Sequence, residues 1–336
     1  MRVLMTGATG FIGRATVLRL QRDGHSVAAW VRSPQRARSL LGPAVDLVAA
    51  SDGDPALQRA VAEADAVINL AGEPIISFPP RWTARRRAAL VDSRVTVTER
   101  IVQAIRAAKN PPKVLVSASA VGYYGDRADE VLYEDSKPGT GFMADLCQCW
   151  EDEALNAESC GTRVVVARIG IVLGVGGGIL QRLMPIFGAG LGGAMGSGRQ
   201  FVPWIHLSDM VELLVRAMID TELSGAINAT APTPVDNREF SSNLADALNR
   251  PALFRVPRTA LRVAMGEAAK VVLASQRVLP ARLERSGFSF RFPALSEALT
   301  DILNDGCQFS TPAELPDDPY ITKTRPLYQM SQITTI

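Results

Sequence analysis

At 336 residues the chain exceeds the ~100–200 typical of one domain, so it holds two domains or one large α/β domain with an appendage. A hydrophobic share of 47%, a charged share of 21% and a formal net charge of +2 describe an ordinary globular protein, with no strong field for nucleic acid or an anionic membrane. Two histidines (His25 and His206) and four cysteines (Cys147, Cys149, Cys160 and Cys307) are too few for a disulfide-built fold. They also argue against a zinc site, so no metal is expected, and free thiols suit a cytoplasmic protein.

Strand and helix patterns alternate through the first half. Residues 2–5 form a short β run, and Phe11, Ile12, Ala15, Leu18 and Leu20 give 11–22 a helix pattern. The N-terminus leaves no room for a signal h-region, and no later stretch supplies the ~20 uninterrupted apolar residues of a membrane span. Strands are predicted at 26–31 and 45–49, a helix at 55–64, and a strand at 66–70. A long helix follows at 84–108, closed by Asn110-Pro111-Pro112, then a strand at 114–117, a helix at 142–158 and a strand at 164–169. Short apolar strands separated by helices predict a parallel sheet covered on both faces. The fold class is therefore α/β, a Rossmann-type doubly wound sheet over residues 1–170, with a strand returning at 226–229.

Residues 171–303 are predicted to form a smaller α+β substrate or lid region, with a small C-terminal domain at 250–303. The glycine-rich stretch 174–198 reads as an apolar-lined flap or an irregular crossover. Helices are predicted at 209–219, capped by Ser208 or Asp209, at 238–248, twice within 257–285 with a break at Pro280, and at 295–303. Phe288, Phe290 and Phe292 alternate with polar residues, which predicts a strand at 286–292 with one buried face. Residues 304–336 read as an extended tail.

The strongest motif is Thr6-Gly7-Ala8-Thr9-Gly10-Phe11-Ile12-Gly13, at the first strand-to-helix junction. Gly7 permits the tight turn, Gly10 lets a pyrophosphate approach the backbone, and Gly13 lets the helix pack against the sheet. Thr6, Gly7, Thr9, Gly10, Phe11, Ile12 and Gly13 are thus candidate dinucleotide-binding residues, with the helix N-terminus turned to the phosphates. NAD sites place a carboxylate about twenty residues later. Here the second strand ends in Val31-Arg32-Ser33-Pro34-Gln35-Arg36, without one. Arg32, Ser33 and Arg36 are the candidate 2′-phosphate residues, so NADP is predicted over NAD. The bland alternative is that both arginines are simply solvated.

Further motifs follow: Asn69-Leu70-Ala71-Gly72-Glu73-Pro74-Ile75, then Ser117-Ala118-Ser119-Ala120-Val121-Gly122-Tyr123-Tyr124-Gly125, then Trp150-Glu151 and Arg168-Ile169-Gly170. Gly196-Ser197-Gly198-Arg199-Gln200, Trp204-Ile205-His206 with Asp209, and Gly287-Phe288 complete the set. Over about residues 1–303 the chain resembles the short-chain dehydrogenase/reductase superfamily, in its extended or atypical branch. More narrowly it is similar to the epimerase-family group named for nucleoside-diphosphate-sugar epimerases and cell-division-inhibitor-like proteins, which carries a small C-terminal domain of unknown function.

The resemblance implies that Leu70, Ala71 and Gly72 line the nicotinamide ribose. It makes Ser119 the catalytic serine that hydrogen-bonds a substrate carbonyl or hydroxyl. It also implies a Tyr acid with a Lys four residues later, which lowers the Tyr pKa and holds the ribose. In this chain Met143 falls near the Tyr position and Cys147 near the Lys position. Neither can do that work, so Tyr123 and Tyr124 become the candidate proton donors, with structural packing as their alternative. Cys147 reads as a buried small hydrophobe rather than a reactive thiol. His206 reads as structural rather than as a base. The arginines at 81, 85, 86, 87 and 94 either frame an anionic group or form a solvated helix face.

Three functions stay open at this level. The first is an NADP(H)-binding atypical short-chain reductase acting on an unidentified small molecule. The second is a non-catalytic NADP(H)-binding regulator or scaffold. The third, sugar-nucleotide epimerisation, is weaker, because it too needs the missing acid. The expected partner is a small-molecule substrate, with no nucleic acid and no membrane, and the chain is expected to be a monomer or homodimer.

Overall fold

The structure is a computed structural model that describes residues 1–77 and 80–308. The first half runs β1 (Arg2–Thr6), α1 (Phe11–Arg22), β2 (Ser26–Val31), α2 (Pro34–Leu41), β3 (Asp46–Ala49), α3 (Gly53–Ala62), β4 (Ala66–Asn69), α4 (Ala84–Val91), α5 (Val97–Ala107), β5 (Val114–Ala120), β6 (Val131–Leu132), α6 (Phe142–Leu155) and β7 (Arg163–Ile169). Next come β8 (Ile171–Leu173), α7 (Leu180–Gly188), β9 (Gly193–Met195), β10 (Phe201–Val202), β11 (Trp204–His206), α8 (Leu207–Ile219), β12 (Gly225–Ala229), β13 (Val235–Asp236) and α9 (Asn237–Ala247). The chain continues through β14 (Phe254–Val256), α10 (Arg258–Met265), α11 (Ala269–Leu273), β15 (Arg277–Val278), α12 (Ala281–Arg285) and α13 (Leu295–Gln308).

Seven parallel strands form one sheet in the order β12-β7-β5-β4-β1-β2-β3. Burial alternates between its faces as strand geometry requires. Val3, Met5, Ile68 and Val116 enter the core beneath α1 and α8, while Leu4, Val67 and Leu115 enter the core beneath α3 and α5. All seven are fully buried, which is why the strands read as unbroken apolar runs. The chain reverses its direction of travel across the sheet between β1 and β4. That switch point opens a crevice at the carboxyl ends of those two strands. A third core, around Trp204, Phe240, Leu244 and Leu299, lies in the second half.

Several expectations need correction. Residues 34–41 form a helix that apolar periodicity did not show, since only Ala37 and Leu41 are buried; Pro34 starts it at a position that suits proline. The long helix predicted over 84–108 is interrupted by a π-helical turn, Asp92–Thr96. The stretch 174–198 is neither flap nor irregular crossover throughout. It contains α7, and its β9 pairs with β14. Its glycines instead admit a neighbour, because a Cβ at Gly177 would fall 2.4 Å from the Phe11 ring.

The strand expected at 286–292 does not form. Phe288 and Phe292 are buried with exposed Ser289 and Arg291 between, but no strand lies alongside. The Asp209 carboxylate accepts from the Arg291 and Phe292 N–H groups at 2.8 and 3.0 Å. Asp209 is therefore not the cap of α8; His206 is, accepting from the Ser208 N–H. Helix α13 runs to Gln308, past the predicted end at 303, and the rest of the expected tail lies outside the described residues. Among the described residues no helix is long and apolar enough to cross a membrane, and no group of three His, Cys, Asp or Glu could hold a metal.

Candidate functional site

The crevice is narrow because glycines make it so. Gly7 has φ +66, and a Cβ there would lie 2.4 Å from the Leu70 carbonyl oxygen, so the turns after β1 and β4 touch. A Cβ at Gly13 would fall 2.2 Å from the Gly7 carbonyl oxygen, which seats α1 on the turn. Gly10 is the exposed N-cap of α1 and carries no side chain to fill the first turn. The first-turn N–H groups of such a helix have no intrahelical partner and suit a pyrophosphate. Thr9, Phe11 and Ile12 are half-buried around this turn. Thr6 does other work. Its Oγ1–H donates to Asn69 Oδ1 at 2.6 Å and its oxygen accepts from the Ala71 N–H at 3.2 Å, so it braces the crevice floor.

Arg32, Ser33 and Arg36 lie exposed at the end of β2 and the start of α2. The sequence puts no carboxylate after this strand, but the fold brings one there. Glu73, from the turn after β4, accepts from Arg32 Nη1 at 2.9 Å, and Arg86 Nη1 stands 3.6 Å from its other oxygen. The Arg32 side chain is 88% exposed, so this pair is weak and open to exchange for a phosphate. The cradle, the free helix end and this exposed guanidinium fit an NAD(P)-type dinucleotide.

On the other side of the crevice, Ser119, Arg168 and Asn228 are register partners on β5, β7 and β12. Their side chains form one buried polar row, completed by Glu151 of α6. Ser119 Oγ–H donates to Glu151 Oε1 at 2.5 Å. Arg168 donates to both Glu151 oxygens, at 3.0 Å from Nε and 2.8 Å from Nη2. Arg168 Nη1 also donates to the Tyr124 hydroxyl at 3.0 Å, and Tyr124 donates to Asn228 Oδ1 at 2.6 Å. Burial opposes the charge of Arg168, but its bonds to Glu151 and Tyr124 raise its pKa above the ordinary guanidinium value.

Two of the three candidate catalytic residues are thus engaged within the protein. Tyr124 is fully buried and its hydroxyl both donates and accepts a hydrogen bond; burial pushes its pKa up to about 12, against the pull of Arg168. It is a structural member of the row rather than an open proton donor. Ser119 is 3% exposed and its proton is committed to Glu151. Tyr123 is half-buried with the Arg168 guanidinium stacked 3.5 Å from its ring centroid, and its hydroxyl has no hydrogen-bond partner among the described residues. Sequence reasoning assigned no role to Glu151, Arg168 and Asn228. The available signal was a charged or amide side chain inside an apolar strand, as in Val164-Val165-Val166-Ala167-Arg168.

Met143 and Cys147 both face Gly122, where a Cβ would stand 3.4 Å from Met143 Cε and 3.6 Å from Cys147 Sγ. Burial, then the Glu151 charge, pushes the Cys147 thiol up to about 12. Most of the arginine cluster is spent structurally. Arg81 donates to the Val263 carbonyl, Arg86 to the Pro74 carbonyl, and Arg87 pairs with Glu267. His206 caps α8, and its ring lies 4.1 Å from that of Phe292. A separate groove of about 570 Å³, lined by Tyr133, Glu134, Ala226 and Arg282 among others, opens beside β12 and includes none of the cradle residues.

Comparison with known proteins agrees with this geometry. The model of the NAD dependent epimerase/dehydratase family matches residues 3–229, and that of a domain of unknown function, DUF1731, matches residues 256–302. The chain is 41% identical over 308 residues to the chloroplastic epimerase family protein SDR39U1 homolog of Arabidopsis thaliana, covering 90% of this chain and 87% of that one. It is 34% identical over 306 residues to the epimerase family protein YfhF of Bacillus subtilis, covering 91% and 99%. The crystal structure of human epimerase family protein SDR39U1 (isoform2) with NADPH superposes with a TM-score of 0.80 at 34% identity, covering 91% of this chain and 100% of that chain.

Proposed function

This chain belongs to the NAD dependent epimerase/dehydratase family, and from that membership and its site we propose that it binds NADP(H) and acts as an oxidoreductase of the atypical short-chain type on a small molecule. The observation that carries the reading is the glycine cradle at the switch point, with the exposed Arg32 guanidinium at the end of β2 and no carboxylate on that strand. A carboxylate there would grip a ribose 2′-hydroxyl, whereas Arg32 with Ser33 and Arg36 suits a 2′-phosphate. The human relative crystallised with NADPH supports the same choice.

When bound, the cofactor would supply a hydride. The chain's own share is to hold the pyrophosphate at α1, line the nicotinamide ribose with Leu70, Ala71 and Gly72, and place Ser119 and Tyr123 on the substrate side. With Met143 and Cys147 near the positions where the resemblance would put a Tyr and a Lys, Tyr123 is the remaining tyrosine candidate for moving a proton. Free Cys147, Cys149 and Cys160 are compatible with work in the cytoplasm. A second reading, cofactor binding without turnover, is favoured by one specific observation. The Ser119 proton is already given to Glu151 and so is not free for a substrate oxygen.

Two measurements separate these readings. Fluorescence titration should give NADPH at least tenfold tighter binding than NADH; equal affinities refute the NADP assignment. Absorbance at 340 nm is then followed against a panel of ketones, enones, imines and quinones. Oxidation of NADPH by any of them establishes turnover. Binding with no oxidation across the panel favours the non-catalytic reading.

A further inference from the structure

Arg94 is a buried cation. It lies in the π-helical turn between α4 and α5, and only 7% of it is exposed. No carboxylate forms an ion pair with it among the described residues. Its Nη2 donates to the Glu73 carbonyl at 2.8 Å, and its Nη1 donates to the Leu90 carbonyl and to Ser93 Oγ, both at 3.3 Å. The guanidinium also lies over the Trp150 ring, 5.4 Å from its centroid. Its Nε–H has no hydrogen-bond partner among the described residues, and a Cβ on Gly72 would stand 3.5 Å from that nitrogen. Burial lowers its pKa, with the nearby Cys147 and Glu73 pulling the other way. Such an arrangement is costly unless a ligand completes it.

The position of the charge indicates which ligand. A Cβ on Gly72 would stand 3.2 Å from Arg94 Cζ. Gly72 follows β4 closely, across the switch point from the β2 end that carries Arg32. A dinucleotide with its pyrophosphate on α1 and its adenosine over β2 brings its nicotinamide ribose to this side. The Arg94 charge also acts on the Cys147 thiol, the position at which the superfamily would carry a lysine. π-turns of this kind concentrate at functional sites, because the inserted residue re-aims a side chain.

Resting on the NADP(H) reading above, we propose that Arg94 is the cation of the nicotinamide half of the site, entering from the π-turn rather than from position 147, with its Nε–H donating to a hydroxyl of the nicotinamide ribose. Of the two tasks of the superfamily lysine, only the holding of the ribose passes to Arg94. The other, lowering the pKa of a tyrosine, has no object where Met143 stands. It also gives Cys147 a reason to be small and neutral, since a lysine there would bury a second cation beside the first.

The test uses two fragments of the cofactor. 2′-Phospho-ADP-ribose keeps the second ribose, and 2′-phospho-ADP keeps the pyrophosphate but lacks that ribose; both are titrated calorimetrically into wild type, Arg94→Gln and Arg94→Lys. One charge-assisted hydrogen bond is worth about tenfold or more in affinity. Arg94→Gln should therefore bind 2′-phospho-ADP-ribose at least tenfold more weakly and 2′-phospho-ADP within twofold of wild type. Arg94→Lys should lose about three- to fivefold on the first probe alone, and it carries the same comparison if Arg94→Gln does not fold. Equal losses on both probes would mean that Arg94 merely braces the Glu73 turn, and they overturn the proposal, as does no loss on either. Wild type that binds neither probe refutes the NADP(H) reading itself, and this inference falls with it.

Discussion

Arg32 and Glu73 hold each other at the end of β2, and on the NADP(H) reading proposed above this ion pair would compete with the 2′-phosphate. A charge-assisted hydrogen bond contributes about 1.5–3 kcal/mol. Arg32→Ala should therefore weaken NADPH binding by about tenfold or more and change NADH binding less than twofold, read by fluorescence titration. Glu73→Gln frees Arg32, and since an exposed pair is worth only ~0.2–1 kcal/mol, NADPH should bind up to about fivefold tighter. Weaker binding in Glu73→Gln would mean that the carboxylate positions Arg32 rather than opposing the phosphate. At Cys147 the sign of the shift sets a different expectation. Burial, then the Glu151 charge, pushes the thiol up to about 12, so it stays protonated from neutral pH through the mildly alkaline range. Iodoacetamide at a mildly alkaline pH should alkylate exposed Cys149 and spare Cys147 in the native protein, as mapped by mass spectrometry. Comparable labelling of both would contradict the buried placement.

The buried row across β5, β7 and β12 is the element that most separates this site from an open proton relay. Removing one partner of a buried pair strands the other, at about 3–5 kcal/mol. Glu151→Leu and Arg168→Met should each lower the midpoint of urea unfolding accordingly, and the double variant should be less destabilised than the sum of the two. A fully additive double variant would mean that the pair is not coupled. Little of this row was legible in the sequence. Apolar runs place β1, β4, β5 and β7 within a residue or a few, because both faces of each strand are buried. Spacing along the chain does not give register, and only register puts Ser119, Arg168 and Asn228 side by side. The same limit hid the Arg32–Glu73 pair, whose members meet only because β2 and β4 flank β1. The cradle was legible because its glycines stand three residues apart in one short segment, Gly7, Gly10 and Gly13. The strand expected at 286–292 failed for the opposite reason: alternation reports burial, and Asp209 satisfied the backbone that a neighbouring strand would otherwise have paired.

At the scale of the molecule, the C-terminal segment closes the sheet. Strand β12 is the edge strand on one side, and an edge with free N–H and C=O groups invites pairing with another chain. Here two of its backbone groups are taken, and a side chain adds a third bond. The Asn228 N–H donates to Glu134 Oε1 at 3.2 Å, the Ala226 carbonyl accepts from Arg282 Nη1 at 2.8 Å, and Asn228 Nδ2 donates to the Leu279 carbonyl at 2.9 Å. Glu134 Oε1 also accepts from the Arg282 N–H at 3.2 Å, so one carboxylate joins the sheet edge to the start of α12. The pairing of β15 with β6 and the bonds from Gln276 Nε2 to the Val121 and Gly125 carbonyls tie the same segment to the loop that follows Ser119. Removing the carboxylate should therefore loosen both the edge and the loop that follows Ser119. Each N–H left unpaired costs about 1–3 kcal/mol. Glu134→Ala should lower the midpoint of a single cooperative urea transition and increase the oligomeric fraction on size-exclusion chromatography. Glu134→Gln keeps an acceptor oxygen at the same place and should recover most of both losses. If Glu134→Ala is as stable and as monodisperse as wild type, the edge is closed by Arg282 and Leu279 alone, and the carboxylate is dispensable to it.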